Sequence, residues 1–331
     1  MRIMMNPIMK KDFKVTARSM KMAWGLMAYE AILAFIFIIA LSILGLQTGY
    51  NYQNIYSELI SLFPVIGIAQ VSMTALTIPI MTASSISGEK ERQTFDIMLT
   101  TCLSPIAIVL GKVFSSVAEV MLYVIASIPI MALAFVLGGL SWGTLFLFLV
   151  VIFVFATLAG SIGVFCSSIS RKSIVSIILA FVGYFLICFL TVLPMIITLF
   201  ATRGDEVYDS TIFLLLNPII FLEEFFMLAM TGDSLFSGEF RGDFGFFTDL
   251  LSHGPLWCII SGGCMLGLSL LFMFFAAKRI DPLTGKVKKI ARKQPIVQSA
   301  FIPQEETINN SDIGVENNRM DAGNEVQNEG T

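Results

Sequence analysis

Trp142-Gly-Thr-Leu-Phe-Leu-Phe-Leu-Val-Val-Ile-Phe-Val-Phe-Ala-Thr-Leu-Ala-Gly-Ser-Ile-Gly-Val-Phe-Cys166 decides the fold of this chain, because it is long, apolar and free of charge. At a rise of 1.5 Å per residue, a helix needs about 20 such residues to cross the roughly 30 Å hydrocarbon core of a bilayer. Five more stretches reach that length: Trp24 to Leu46, Leu59 to Thr82, Val113 to Leu137, Ile174 to Phe200 and Pro255 to Ala277. The whole composition agrees, with 56% of 331 residues apolar, 14% charged and a mean hydropathy of +0.82. A water-soluble chain averages about 45–50% apolar and about 25% charged residues, so this excess has no water-facing fold to hide in. The expected fold is an all-α polytopic membrane protein with six transmembrane helices. The first stretch exceeds the apolar region of a signal peptide and no small-residue cleavage site follows it, so it stays as an anchor.

Charge placement orients the bundle. With the N-terminus inside, nineteen of the 21 Lys and Arg fall on the cytoplasmic side and only Arg203 and Arg241 outside, as the positive-inside rule requires. A seventh apolar segment, Ile212 to Met230, contains Asn217-Pro218 and Glu223-Glu224, and counting it as a span would strand the basic cluster from Lys278 to Lys293 outside. It is read instead as dipping into, or lying on, the outer leaflet within an external loop, 201–254, that carries nine acids and two Arg.

The flanks complete the organisation. Residues 1–22 read as an amphipathic interfacial helix: Asn6-Pro7 supplies a cap and a first-turn proline, Lys10, Lys14, Arg18 and Lys21 gather on one side, and Met9, Phe13, Met20 and Trp24 on another. The transmembrane domain covers 23–277, a basic juxtamembrane segment 278–303, and a disordered acidic tail 304–331. Lipid headgroups, rather than nucleic acid, suit the basic tail root beside the membrane. One His, His253, and five Cys without a Cys-x-x-Cys pair speak against zinc and redox chemistry and against any metal site. No Ser/His/Asp or Cys/His constellation can be assembled, so no catalytic residue is assigned. No long internal repeat is evident, which leaves the inverted-repeat signature of many carriers unsupported.

The cytoplasmic loop 83–112 carries the sharpest chemistry. It contains Ser84-Ser-Ile-Ser-Gly-Glu-Lys-Glu-Arg-Gln-Thr-Phe-Asp-Ile-Met-Leu-Thr-Thr-Cys-Leu-Ser-Pro105 and closes on Gly111-Lys112. Glu89 and Glu91 are read as the first turn of a short helix capped by Ser87, where the positive end of the helix dipole favours acids. Phe95, Met98 and Leu99 fall at i, i+3 and i+4 and form its apolar face, while Glu91, Arg92 and Asp96 point to solvent or a partner. Ser104-Pro105 starts the next helix. The expectation is a charged amphipathic docking helix held between two spans.

Ile86-Ser-Gly-Glu-Lys-Glu-Arg92, Thr94, Leu99-Thr-Thr101, Leu103-Ser-Pro105 and Gly111-Lys112 resemble the signature of ABC transporter permeases of the type 2 exporter class. The resemblance extends to six spans, to Asn6-Pro7-Ile8 with Lys10-Lys11, and to Leu216-Asn-Pro218. Gln93 stands where that family often has Gly, and Cys102 where it often has Pro. The resemblance implies a permease subunit of an exporter in a bacterial-type plasma membrane, both termini cytoplasmic, working beside a second permease subunit, identical or not. A separate ABC ATPase subunit would bind ATP and Mg and dock on Gly88, Glu89, Lys90, Glu91, Arg92, Thr94 and Phe95 through a coupling helix. The chain itself holds no cofactor: neither Gly111-Lys112 nor Gly285-Lys286 fits the phosphate-binding Gly-x-x-x-x-Gly-Lys-Ser/Thr pattern. A structural or regulatory membrane protein that binds a cytoplasmic partner, or an ion-coupled carrier, remains the alternative.

Inside the membrane, Glu30 and Glu119 are the two ionisable groups, each about 10 Å from the basic edge. They read as ties between helices in preference to a proton relay. Gln70, Thr74 and Thr77 share one helical face, and Tyr184, Cys188, Thr191 and Thr198 another; such stripes either line a pathway or glue helices together, and both readings stand.

Overall fold

The structure, a computed structural model, describes residues 19–48, 59–95, 104–201, 207–233 and 254–280. Its helices are α1 (Met20–Thr48), α2 (Leu62–Glu91), α3 (Pro105–Ala126), α4 (Ile128–Leu137), α5 (Trp142–Ile169), α6 (Ser173–Ala201), a 3-10 helix (Val207–Leu216), α7 (Pro218–Thr231) and α8 (Gly254–Ile280). Among the described residues there is no strand. Six helices, α1, α2, α3, α5, α6 and α8, are long and apolar enough to cross a membrane. The interfacial helix expected over 1–22 lies almost wholly outside the described residues, as do His253 and the segments 281–303 and 304–331.

Local signals set several helix starts. Ser104 Oγ accepts the Ala107 N–H with Pro105 at the first position of α3, and Ser141 Oγ accepts the Thr144 N–H at the start of α5. The third apolar stretch is not one helix, a departure from the single span expected: it breaks at Ser127, just before Pro129, whose ring cannot continue an α-helical hydrogen-bond ladder, and restarts as the short α4.

The uninterrupted apolar sequence of α5 makes it the axis of the bundle, with α2, α3, α6 and α8 packed around it. Its most apolar window is 72% buried against 17% for α1 and 22% for α6, so α5 is core while α1 and α6 turn apolar side chains outward. Small residues let the backbones approach, as expected where lipid replaces water and packing replaces the hydrophobic drive. A Cβ at Gly163 of α5 would collide with Thr82 Oγ1 of α2, and one at Gly67 of α2 would meet the Phe226 ring at 2.5 Å.

The segment rejected as a seventh span is drawn into the bundle. Phe221, Phe225 and Phe226 of α7 are buried, and the last two join Phe148 of α5 around Phe63 of α2, with centroids 5.0–6.4 Å from that ring. Asn217 fixes the entry to α7. Its Oδ1 accepts from Ile219 N and Ile220 N, and its Nδ2 donates to Cys188 O and Thr191 Oγ1 of α6. All four hydrogen-bonding positions of this buried amide are thereby used.

Candidate functional site

The last turn of α2 collects the ends of three other helices. Lys90 Nζ donates to the carbonyls of Ser167, Ser168 and Ser170 within 3.3 Å, which places a cation on the unsatisfied C-terminal carbonyls of α5, the negative end of that helix. Glu91 does the converse at α6: its Oε2 accepts from Ser173 N at 3.2 Å and Ser173 Oγ at 2.8 Å, an anion on the first free amide of a helix. Glu89 Oε1 pairs with Lys112 Nζ of α3 at 2.7 Å. Below this layer, Ser167 Oγ of α5 accepts the backbone N–H groups of Ile86 and Ser87. Three consecutive charged residues thus bind α2 to α3, α5 and α6.

The local reading of 87–91 needs correction. Ser87 caps no helix start: its Oγ donates to Ala83 O inside α2, and Gly88 to Glu91 form the last turn of α2 instead of the first turn of a new helix. The fall in hydropathy after Thr82 marks the edge of the apolar stretch, and the helix runs through it. The stop lies at Arg92 and Gln93. Thr94 N donates to Glu89 O and Gln93 N to Lys90 O, the paired bonds of a Schellman motif, with Gln93 in the left-handed conformation at φ 58°. That backbone requirement explains why glycine suits this position.

Beyond the turn, Phe95 is half-buried against the chain's own core, with Lys90 Nζ 5.5 Å from its ring centroid. Met98, Leu99 and the remainder of the expected coupling helix, 96–103, lie outside the described residues. Glu91, Arg92, Gln93 and Thr94 are exposed. An open polar groove of about 770 Å³ runs beside them, lined by Ser84, Ser85, Gly88, Glu89, Arg92 and Ser173 among others. Of the seven residues proposed for docking, Gly88, Glu89, Glu91, Arg92 and Thr94 therefore line one accessible surface, while Lys90 reaches the end of α5 and Phe95 turns inward.

The intramembrane polar residues divide. Gln70 and Thr74 are fully buried: Gln70 Nε2 donates to Ser127 Oγ at 2.7 Å, and Tyr29 of α1 reaches Gln70 O and Thr74 Oγ1. These bonds join α2 to α1 and to the junction of α3 and α4. Thr77 Oγ1 bonds back to Met73 O, and Thr198 Oγ1 to Met195 O. Cys188 is buried, and with Thr191 it receives Asn217. Tyr184 lines a cavity that it shares with α2, α5 and α7. Between α1 and α3 the contact is made by Tyr29 and Tyr123, ring centroids 5.7 Å apart. Glu30 is half-buried, and its Oε1 has no hydrogen-bond partner among the described residues. Glu119 is half-buried beside Tyr123. Ser127, Ser167 and Ser173 were missed as site residues. Serine beside a helix end is common, and nothing in the sequence connects these three to α2.

The six-span bundle thus carries a charged collar at one pole, where side chains of α2 meet α3, α5 and α6. The family model for ABC-2 type transporters matches residues 8–197, more than half of the chain, and the chain belongs to that family. It is a multi-pass membrane permease component of an ABC-type transporter. A search of curated proteins finds no match.

Proposed function

We propose that this chain is the membrane subunit of an exporter that works as a pair of permease subunits and is driven by separate ABC ATPase subunits, which dock on the exposed turn Glu91 to Thr94. The observation that carries this reading is the collar. A force applied at the end of α2 reaches α3 through Glu89 and Lys112, α5 through Lys90, and α6 through Glu91 and Ser173. The turn is exposed on one side and cross-linked on the other, as a coupling element must be. ATP and Mg bind the partner subunits, whose closure shifts the spans between inward and outward states. The charged pole faces the cytoplasm of a bacterial-type cell, since the Lys and Arg cluster there, and basic residues flanking the membrane meet anionic headgroups.

The test measures ATPase pull-down and transport per ATP in proteoliposomes for Arg92→Glu, an exposed charge reversal that leaves every described collar bond in place. Reduced association with a normally inserted permease is the expected result, with the loss steeper at low salt. Wild-type association and coupling in Arg92→Glu combined with Thr94→Arg would remove this turn as the docking site.

A further inference from the structure

Two cavities flank α7, and they differ in one group. The first, about 470 Å³, lies among α5, α7 and α8 and is walled by Val151, Val154, Phe225, Ile259 and Leu266 among others, with no charged side chain. The second, about 410 Å³, lies among α2, α5, α6 and α7. Its walls include Ala75, Phe155, Leu222 and Phe226, with Ser72, Tyr184 and the exposed Glu223 as the polar groups. Ser72 is ten residues into α2, about 15 Å along the helix axis, so this cavity reaches hydrocarbon depth. A carboxylate beside hydrocarbon is costly unless it faces water or a cation. Glu223 has no salt-bridge partner among the described residues.

We propose that the cavity between α2, α6 and α7 binds an amphiphilic organic cation and that Glu223 selects its charge. The inference rests on the transport role proposed above and adds a substrate class to it. Apolar walls take up the hydrophobic body, and Phe155, Tyr184 and Phe226 line the cavity with aromatic rings, a residue type that attracts diffuse cations. Glu223 supplies the only formal charge in the lining.

The probe is labelled tetraphenylphosphonium, with tetraphenylborate as a competitor of the same shape and opposite charge. Equilibrium binding is measured on the full purified chain in detergent, without ATPase, with empty micelles as the blank. Wild type should bind the phosphonium saturably, and Glu223→Gln should weaken that binding about ten-fold or more, equivalent to about 1.4 kcal/mol. Glu223→Asp should keep most of the affinity, Ala75→Trp should abolish it by filling the cavity, and Ile259→Trp in the uncharged cavity should leave it unchanged. Retention of affinity in the Asp variant shows that a loss in the Gln variant is not misfolding. The inference is overturned by absence of saturable binding to wild type, by equal affinity in Glu223→Gln, or by tetraphenylborate displacing the probe as well as unlabelled phosphonium does. Because no ATP is present, a chain that binds the cation but is never driven by an ATPase contradicts only the exporter reading. A chain that exports yet ignores the cation contradicts only this one.

Discussion

The two ends of α2 are held by opposite physics. At its start, Phe63 is fully buried and ringed by Phe135, Phe148, Phe225 and Phe226, and Gln70 closes the layer through Ser127. At its finish, Glu89, Lys90 and Glu91 hold Lys112, the carbonyls ending α5 and the amide starting α6. Aromatic packing is short-ranged, and it resists any separation of the helices. Charge-assisted bonds to helix termini are directional, and a partner bringing charges of its own can compete for them. One helix is therefore clamped at the aromatic end and negotiable at the charged end, a suitable polarity for a lever.

Phe63→Ala should produce the largest effect, because it removes the centre of the clamp. In water-soluble cores Phe→Ala costs about 3–5 kcal/mol, and in lipid the cavity contribution survives while the transfer contribution shrinks, leaving roughly 2 kcal/mol or more. Unfolding by sodium dodecyl sulfate titration from mixed micelles measures it. A loss no greater than that caused by Lys90→Met would reverse the ranking of the two ends.

Lys90→Met keeps most of the side-chain length and removes the cation from the end of α5. Hydrogen bonds to charged groups contribute about 1.5–3 kcal/mol when buried, and Lys90 is only half-buried, so roughly 1 kcal/mol is expected. The informative readout is transport per ATP, which should fall further than stability does. Intact coupling in Lys90→Met would mean that α5 is moved by some route other than this cap.

The spans could be read from the sequence because length and charge asymmetry are properties of the chain alone: Trp142 to Cys166 needs no partner to be recognised. The charged turn that ends α2 was legible as a place and misread as a structure. Gly88-Glu89 after an apolar run looks like a helix start, yet the backbone of a membrane helix has no reason to stop where hydrophobicity does. The Ser127 break had a signal in Pro129. The partners of Lys90 and Glu91 had none, since Ser168 and Ser173 lie 78 and 82 residues away and meet α2 only once the helices have packed. Gln70 and Thr74 show the same limit: a polar stripe on an isolated helix does not say whether its neighbour is water or Tyr29.

The smallest effect expected is the one that isolates backbone from side chain at the charged end. Gln93 is exposed and sits at φ 58°, where a non-glycine residue carries a steric penalty that glycine does not. Gln93→Gly relieves that penalty but adds freedom to the unfolded chain, so the net gain should be a few tenths to about 1 kcal/mol in the detergent titration. Gln93→Val should move the other way, because a β-branched side chain fits the left-handed region worst. The bonds Thr94 N to Glu89 O and Gln93 N to Lys90 O hold the turn that presents Arg92, so stability and ATPase pull-down should shift together in the two variants. A stabilised glycine variant with strengthened association and a destabilised valine variant with weakened association would tie docking to the shape of this turn. Equal stability in all three proteins would show that the left-handed position is not what ends α2.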